Sequence, residues 1–228
     1  GRDGGEGVCV AFYSFKDLQK LEKFMEDKPV SEQDIGRQLL KETASYAESS
    51  VCRRKLLLHY FGEEYNHNNC GMCDNCLNPK EKVEAKNQLC NVIAIILAIK
   101  ENFTEDYVMD IIMGNETDEI LAHKHDELEL FAVGENDDEK IWTSVIRQGQ
   151  LSGYLDKDIE NSGALKVTSK GNKFLKKPTA FDITLDNDFE EDESDIPVES
   201  GSGCAVDPAL FQMLKDLRKR MSKELDVP

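Results

Sequence analysis

Four cysteines, Cys52, Cys70, Cys73 and Cys76, stand in a C-x(17)-C-x(2)-C-x(2)-C array. Thiolate sulfur is a soft ligand that suits tetrahedral zinc. Two consecutive CxxC steps let one tight turn present three sulfurs while a distant residue closes the fourth corner. Four thiolates leave no coordination position for a water, so the chemistry implied is structural closure by Zn2+, not hydrolysis. The alternative is a set of disulfides or free core thiols, and this spacing is hard to reach by chance. His67 could replace one sulfur, but it is placed on an exposed loop. Structural zinc contributes about 10–16 kcal/mol to the folding of small peptides, enough to decide whether a loop-rich segment folds.

The elements that must position these sulfurs can be read on either side of them. The tight cluster lies in HNNCGMCDNCLNP, where Gly71, Asp74, Asn75 and Pro79 supply the turns that wrap a backbone around a metal. Cys52 is expected within a helix, KETASYAESSVCRRKLLLHYF, with Ala47, Val51, Leu57, Leu58 and Phe61 on one apolar face. Upstream, residues 7–15, GVCVAFYSF, read as a buried strand. Residues 16–27 read as an amphipathic helix with Leu18, Leu21, Phe24 and Met25 inward, broken by Pro29.

A second domain starts after the polar stretch KEKVEAKNQ, where Leu89, Val92, Ile93, Ile96 and Leu97 recur at helical spacing and Cys90 is a small core residue. Thr104 can cap a helix that opens on Glu105 and Asp106 and closes at Gly114. A short helix through 119–123 follows. The next helix, 139–151, turns Ile141, Trp142, Val145 and Ile146 to the core and carries Lys140, Thr143, Ser144, Arg147 and Gln148 on its other side. Two strands near 154–159 and 164–168 flank the turn ENSG, and Thr168 or Ser169 caps a last helix ending at Lys177. Helix, helix, helix and hairpin is the order of a winged helix-turn-helix, with the hairpin as its wing. The fold class expected is therefore mainly α with small β: a helical zinc-binding subdomain followed by a winged helix. Trp142 is read as core, and His123 and His125 fall at a turn and need no metal.

The chain has 228 residues and a formal net charge of −17. Its clustered cysteines fit a reducing compartment, with Cys9, Cys90 and Cys204 left as free thiols. No signal peptide is visible, and the longest apolar run, 92–99, is too short to span a bilayer, so a cytoplasmic protein with no membrane partner is expected. The sequence opens on GRDGG and stops at ELDVP inside a helical pattern, as a piece of a longer protein would. Residues 179–200 contain nine acids and no Lys or Arg, more than half of the net charge. They read as a flexible linker over 179–206, either a solvating spacer or an acidic mimic of nucleic acid. Beyond it, Asp207 and Pro208 start a helix with Leu210, Leu214, Leu217 and Met221 in one stripe, which cannot bury that face alone.

Taken in order, GRDG, CRRKLLLHYFGE, CGMCDNC and the winged helix closely resemble the RecQ family of DNA helicases. The resemblance implies that residues 1–29 end the second RecA-like motor lobe. Arg2 then matches an arginine of helicase motif VI near the ATP phosphates. It makes Cys52, Cys70, Cys73 and Cys76 the zinc ligands of a domain over 30–82, and residues 83–178 the RQC winged helix. Residues 207–228 become the first helix of an HRDC domain. ATP and Mg2+ are implied for the parent protein alone, because a motor needs a P-loop lysine and a Walker B acid and these 228 residues hold neither. A bacterial, nucleoid-associated and monomeric enzyme acting in replication, recombination and repair is the corresponding expectation.

The task implied for this region is to grip DNA where duplex meets single strand. Lys140, Thr143, Ser144 and Arg147 on the recognition helix and Lys166, Lys170 and Lys173 on or beside the wing are the candidate phosphate contacts, which give position rather than sequence specificity. Residues 166–177 hold five lysines and no acid, a local reversal of the chain's charge. Arg53, Arg54 and Lys55 could meet phosphate or pair with Glu48, Glu63 or Glu64. The chain departs from the family at Met113, Gly114 and Asn115, where a basic residue before Gly is usual, and at Glu127, where a lysine often stands. Both changes strip positive charge from the duplex-facing surface. The competing reading is a non-enzymatic zinc and winged-helix interaction module, with a protein such as single-strand binding protein as its partner.

Overall fold

The computed structural model describes residues 7–26, 28–158, 163–187 and 189. Arg2, residues 159–162 of the wing turn and the helix expected from Asp207 lie outside them. Residues 7–189 belong to one compact unit.

The metal-binding half is built from α1 (Phe15–Lys23), α2 (Val30–Glu48), α3 (Arg53–Tyr60) and the single turn α4 (Asp74–Leu77). Pro29 stands at the start of α2, as a residue without an N–H can, and Met25 folds back against Gly36, where a Cβ would collide with its sulfur. Three expectations fail here. Leu21 and Phe24, expected inward, are exposed, and α1 buries none of its residues. Residues 7–14 form no strand: Val8, Val10 and Phe12 are exposed, and among the described residues no strand pairs with them. An extended segment becomes a strand only beside a neighbour that takes up its N–H and C=O groups. The long helix through Cys52 is two helices with an elbow at residues 49–52, where Ser49 (ψ 137°) and Cys52 (ψ 120°) leave the helical region. Leu57 and Phe61 are accordingly exposed rather than on a common buried face.

The second half packs α5 (Lys86–Ala98), α6 (Glu105–Met113), α7 (Asp118–His123), α8 (Glu139–Leu151) and α9 (Ser169–Lys176) around one apolar centre. Leu89, Val92, Ile93, Ile95 and Ile96 of α5 are buried there against Val108, Ile111 and Ile112 of α6 and Trp142, Val145 and Ile146 of α8. Each such side chain contributes about 1.5–3 kcal/mol of transfer free energy. Gly114 closes α6 in the left-handed region (φ 75°), and Ala132 and Gly134 donate their backbone N–H groups to the end carbonyls of α6, at Ile111 and Ile112. Asp138 caps α8 and Thr168 caps α9.

Strands β2 (Leu155–Asp158) and β3 (Ala164–Val167) pair antiparallel with Leu155 opposite Val167, which is the wing. Phe103 adds a third edge, its carbonyl accepting from Leu165 N at 2.9 Å. Gly171 lets α9 seat on the wing base, since a Cβ there would lie 2.3 Å from the Tyr154 carbonyl oxygen.

A second ribbon departs from the expected linker. Strand β1 (Lys82–Glu84) pairs antiparallel with β4 (Asp182–Thr184), and Phe181 and Ile183 are buried in the winged-helix core. The start of the acidic stretch is thus folded well past residue 178. Among the described residues, no helix is long and apolar enough to cross a membrane.

Candidate metal centre and nucleic-acid interface

The elbow at 49–52 exists to aim one sulfur. Cys52 is the N-cap residue of α3 and is buried, while Cys73 is the N-cap residue of α4. Gly71, in the left-handed region (φ 70°), turns the chain between Cys70 and Cys73, and Asn69 Oδ1 accepts from Gly71 N. The four Sγ atoms lie within 4.8 Å of one another, with Cys70 and Cys76 3.9 Å apart. A tetrahedral ion at Zn–S of about 2.3 Å needs sulfurs roughly 3.8 Å apart, so the quartet fits zinc with little contraction. The ligand set is closed and structural. The Cys70 thiol is held down at about 6, first by the Met72 backbone N–H, while burial pushes Cys76 up to about 12. Zinc requires all four as thiolates, so binding releases protons and acid opposes it.

The supports of the quartet are residues expected in other roles, Asp74 and Asn75 as turn formers and Arg53 as a phosphate contact or the partner of another acid. Asn75 donates from Nδ2 to the carbonyls of Ser49 and Val51, both at 2.7 Å, tying the knuckle to the elbow. Arg53 binds Asp74 through Nη2 at 2.9 Å and Nε at 3.1 Å, donates to the Tyr46 and Ala47 carbonyls, and lies 5.3 Å from the Tyr46 ring centroid. Neither reading of Arg53 named this partner: it pairs with Asp74, an acid of the knuckle, rather than with Glu48, Glu63 or Glu64. The Arg53 hydrogen bond is the main influence holding the Asp74 carboxyl below its ordinary value. The interaction therefore contributes above the ordinary aspartate range and fades as pH falls through the lowered value.

The candidate phosphate contacts divide. Lys140 is exposed at the start of α8, and Thr143 is half-buried with its hydroxyl donating to the Glu139 carbonyl. Ser144 and Arg147 are not on an exposed side: Ser144 is fully buried and Arg147 is 8 % exposed. The β4 segment covers them. Asp186 pairs with Arg147 Nη1, Asp186 N donates to Ser144 Oγ at 3.3 Å, and Gln148 brackets Thr184 through both amide atoms. Burial pushes the Asp186 carboxyl up, opposed by Arg147 and by the Ser50 backbone N–H. Arg147 is thus committed to an acid of its own chain. Beside the wing, Lys166 pairs with Asp158 at 3.3 Å, and Lys170 donates to the Ser152 carbonyl while lying 4.5 Å over the Tyr154 ring. Lys173, Lys176 and Lys177 are exposed along α9, with no ion pair among the described residues. Trp142 is core, as expected.

A four-sulfur knuckle joined within one compact unit to a winged helix defines a zinc-closed winged-helix protein. Residues 15–77 match the RecQ zinc-binding domain, and residues 79–192, half of the chain, match the RQC domain. The chain belongs to the RecQ family. It is 28% identical over 230 residues to the ATP-dependent DNA helicase RecQ of Haemophilus influenzae, covering 100% of this chain and 37% of that protein. It is 26% identical over 251 residues to the ATP-dependent helicase SGS1 of Saccharomyces cerevisiae (95% of this chain, 17% of the relative). With the RecQ of Bacillus subtilis the identity is 23% over 243 residues, 100% of this chain and 36% of the relative. The chain spans little more than a third of the bacterial relatives it matches.

Proposed function

We propose that this chain is the zinc-binding and winged-helix region of a RecQ-like ATP-dependent DNA helicase, and that it grips duplex DNA where the two strands part. The supporting observation is the direct joining of a closed four-sulfur site to a winged helix, in the order and over the residues that match the two RecQ domains. ATP hydrolysis belongs to the parent: neither a P-loop lysine motif nor a Walker B acid occurs here, so the chain alone is expected to hydrolyse none, and Arg2 would serve only beside the ATP phosphates of an intact motor.

The DNA face is the wing base and α9, with Lys140 and Thr143 at its margin. Lys170 and Lys173 lie on one side of α9, Lys176 and Lys177 extend that side toward its C-terminal end, and Lys166 stands on β3. Cations at this spacing suit a phosphate backbone and carry no base preference. Ser144 and Arg147, being covered, support the recognition helix instead of touching DNA. Replacing Lys170 and Lys173 together with Ala should weaken binding several-fold and flatten the plot of log affinity against log salt by one to two counterions, about 0.9 for each phosphate no longer neutralised. Fluorescence anisotropy on a duplex with a 3′ overhang reads both. An unchanged affinity and slope would remove α9 from the interface.

A further inference from the structure

Four consecutive residues, 184–187, touch both halves of the molecule at once. On the winged-helix side, Thr184 is held by both amide atoms of Gln148 at 2.7 and 3.1 Å, and Asp186 holds Arg147. On the metal-binding side, Ser50 Oγ donates to Thr184 Oγ1 at 2.8 Å, Asn187 N donates to the Glu48 carbonyl at 2.6 Å, and Asn187 Nδ2 reaches the Ser49 carbonyl and Asn75 Oδ1 at 3.1 and 3.3 Å. Lys80, in the connection between the halves, donates to the Asp186 carbonyl at 2.7 Å. Asn75 in turn binds the Ser49 and Val51 carbonyls beside the Cys52 ligand. Asn75 is the chain neighbour of the Cys76 ligand, and from it a continuous hydrogen-bonded path runs through the 49–52 elbow into residues 184–187 and on to α8.

We infer that residues 184–187 are a strap that couples the metal centre to the winged helix, with Asn187 and Thr184 as its positioning residues. Order held in the knuckle by zinc is transmitted to α8, because the elbow that the metal fixes is the same backbone that Asn187 and Ser50 use to hold the strap. The helix-side contacts include the buried Arg147–Asp186 pair and the elbow-side contacts run to Ser49 and Ser50, both buried, so the strap is held at both ends and its position depends on elbow geometry. Coupling of this kind requires an element whose arrangement both sites bias, and the strap is that element.

The chain carries its own reporter. Trp142 is its single tryptophan, buried in the winged helix on α8. Thermal unfolding followed by Trp142 fluorescence is measured for the zinc-loaded and the phenanthroline-treated chain, in wild type, in Asn187→Ala and in Thr184→Val. Neither substitution touches a zinc ligand or the apolar core. The expected result is that chelation lowers the wild-type Trp142 midpoint by about 3 °C or more, as loss of roughly one kcal/mol would in a unit of this size. In both variants the zinc-loaded midpoint should fall toward the chelated value and the zinc-dependent shift should shrink to less than half. A wild-type Trp142 midpoint indifferent to chelation overturns the inference, as does a full zinc-dependent shift kept in both variants. The readout involves no DNA, so it stands or falls apart from the proposed grip on duplex.

Discussion

Chelating the zinc, or replacing Cys76 with Ser, is expected to melt residues 49–80 of this chain, with loss of helical far-UV signal and a large drop in the first unfolding midpoint. The segment has little else to hold it. Among its described residues only Cys52 and Ser50 join Ser49 as buried, and Leu57, Tyr60, Phe61, Met72 and Leu77 all face outward. The α4 helix is a single turn, and a helix that short does not persist without external constraint. Binding of structural zinc, about 10–16 kcal/mol in small peptides, exceeds what the Arg53–Asp74 pair and the two Asn75 hydrogen bonds can supply. A spectrum and melting curve unchanged after complete metal removal would show that these interactions suffice, and that zinc does not hold the fold.

The second large effect lies at the buried ion pair. Arg147→Met should cost about 3–5 kcal/mol, because it leaves the carboxylate of Asp186, with 8 % of its side chain exposed, without its ion-pair partner. The double variant Arg147→Met, Asp186→Leu should recover most of that loss, since apolar groups need no charge partner. The sign with pH is fixed by burial, which already pushes the Asp186 carboxyl up. In the single variant the folded protein takes up a proton more readily than the unfolded one, so the destabilisation is greatest near neutrality and shrinks as pH falls toward the ordinary aspartate range. Urea unfolding followed by Trp142 at neutral and mildly acidic pH measures both comparisons. A single variant as stable as wild type would mean that the pair is not buried in solution.

What was legible in the sequence follows from local physics. Thr104 takes the N-cap position of α6 although its side chain makes no capping hydrogen bond, Gly114 closes the helix as expected, and the period of Trp142, Val145 and Ile146 marks α8 over the very residues expected. The cysteine spacing announced the metal centre because ligand geometry constrains sequence separation. The elbow at 49–52 was hidden: no Gly or Pro marks it, and the apolar period runs on through SSVC as though the helix did. It bends because Cys52 must meet three distant sulfurs, a tertiary demand that local propensity cannot register. The strap was hidden by its charge. Phe181, Ile183 and Leu185 alternate with Asp182, Thr184 and Asp186, a period-two strand signal drowned by the acids that follow. Ser144 and Arg147 show the complementary error. A polar stripe on a helix says that the face lacks apolar residues, and it does not say that water covers it; here a hydrogen-bonding strap does.

The proposed grip on DNA is tested most directly by fluorescence-anisotropy binding of a duplex with a 3′ overhang to the zinc-loaded chain across a salt series. Measurable binding at low salt that weakens steeply as salt rises is expected, the mark of phosphate neutralisation by the α9 and wing lysines. Absence of binding even at low salt would contradict the grip. The acidic winged helix would then have given up duplex, and a protein partner would be the better assignment for its surface.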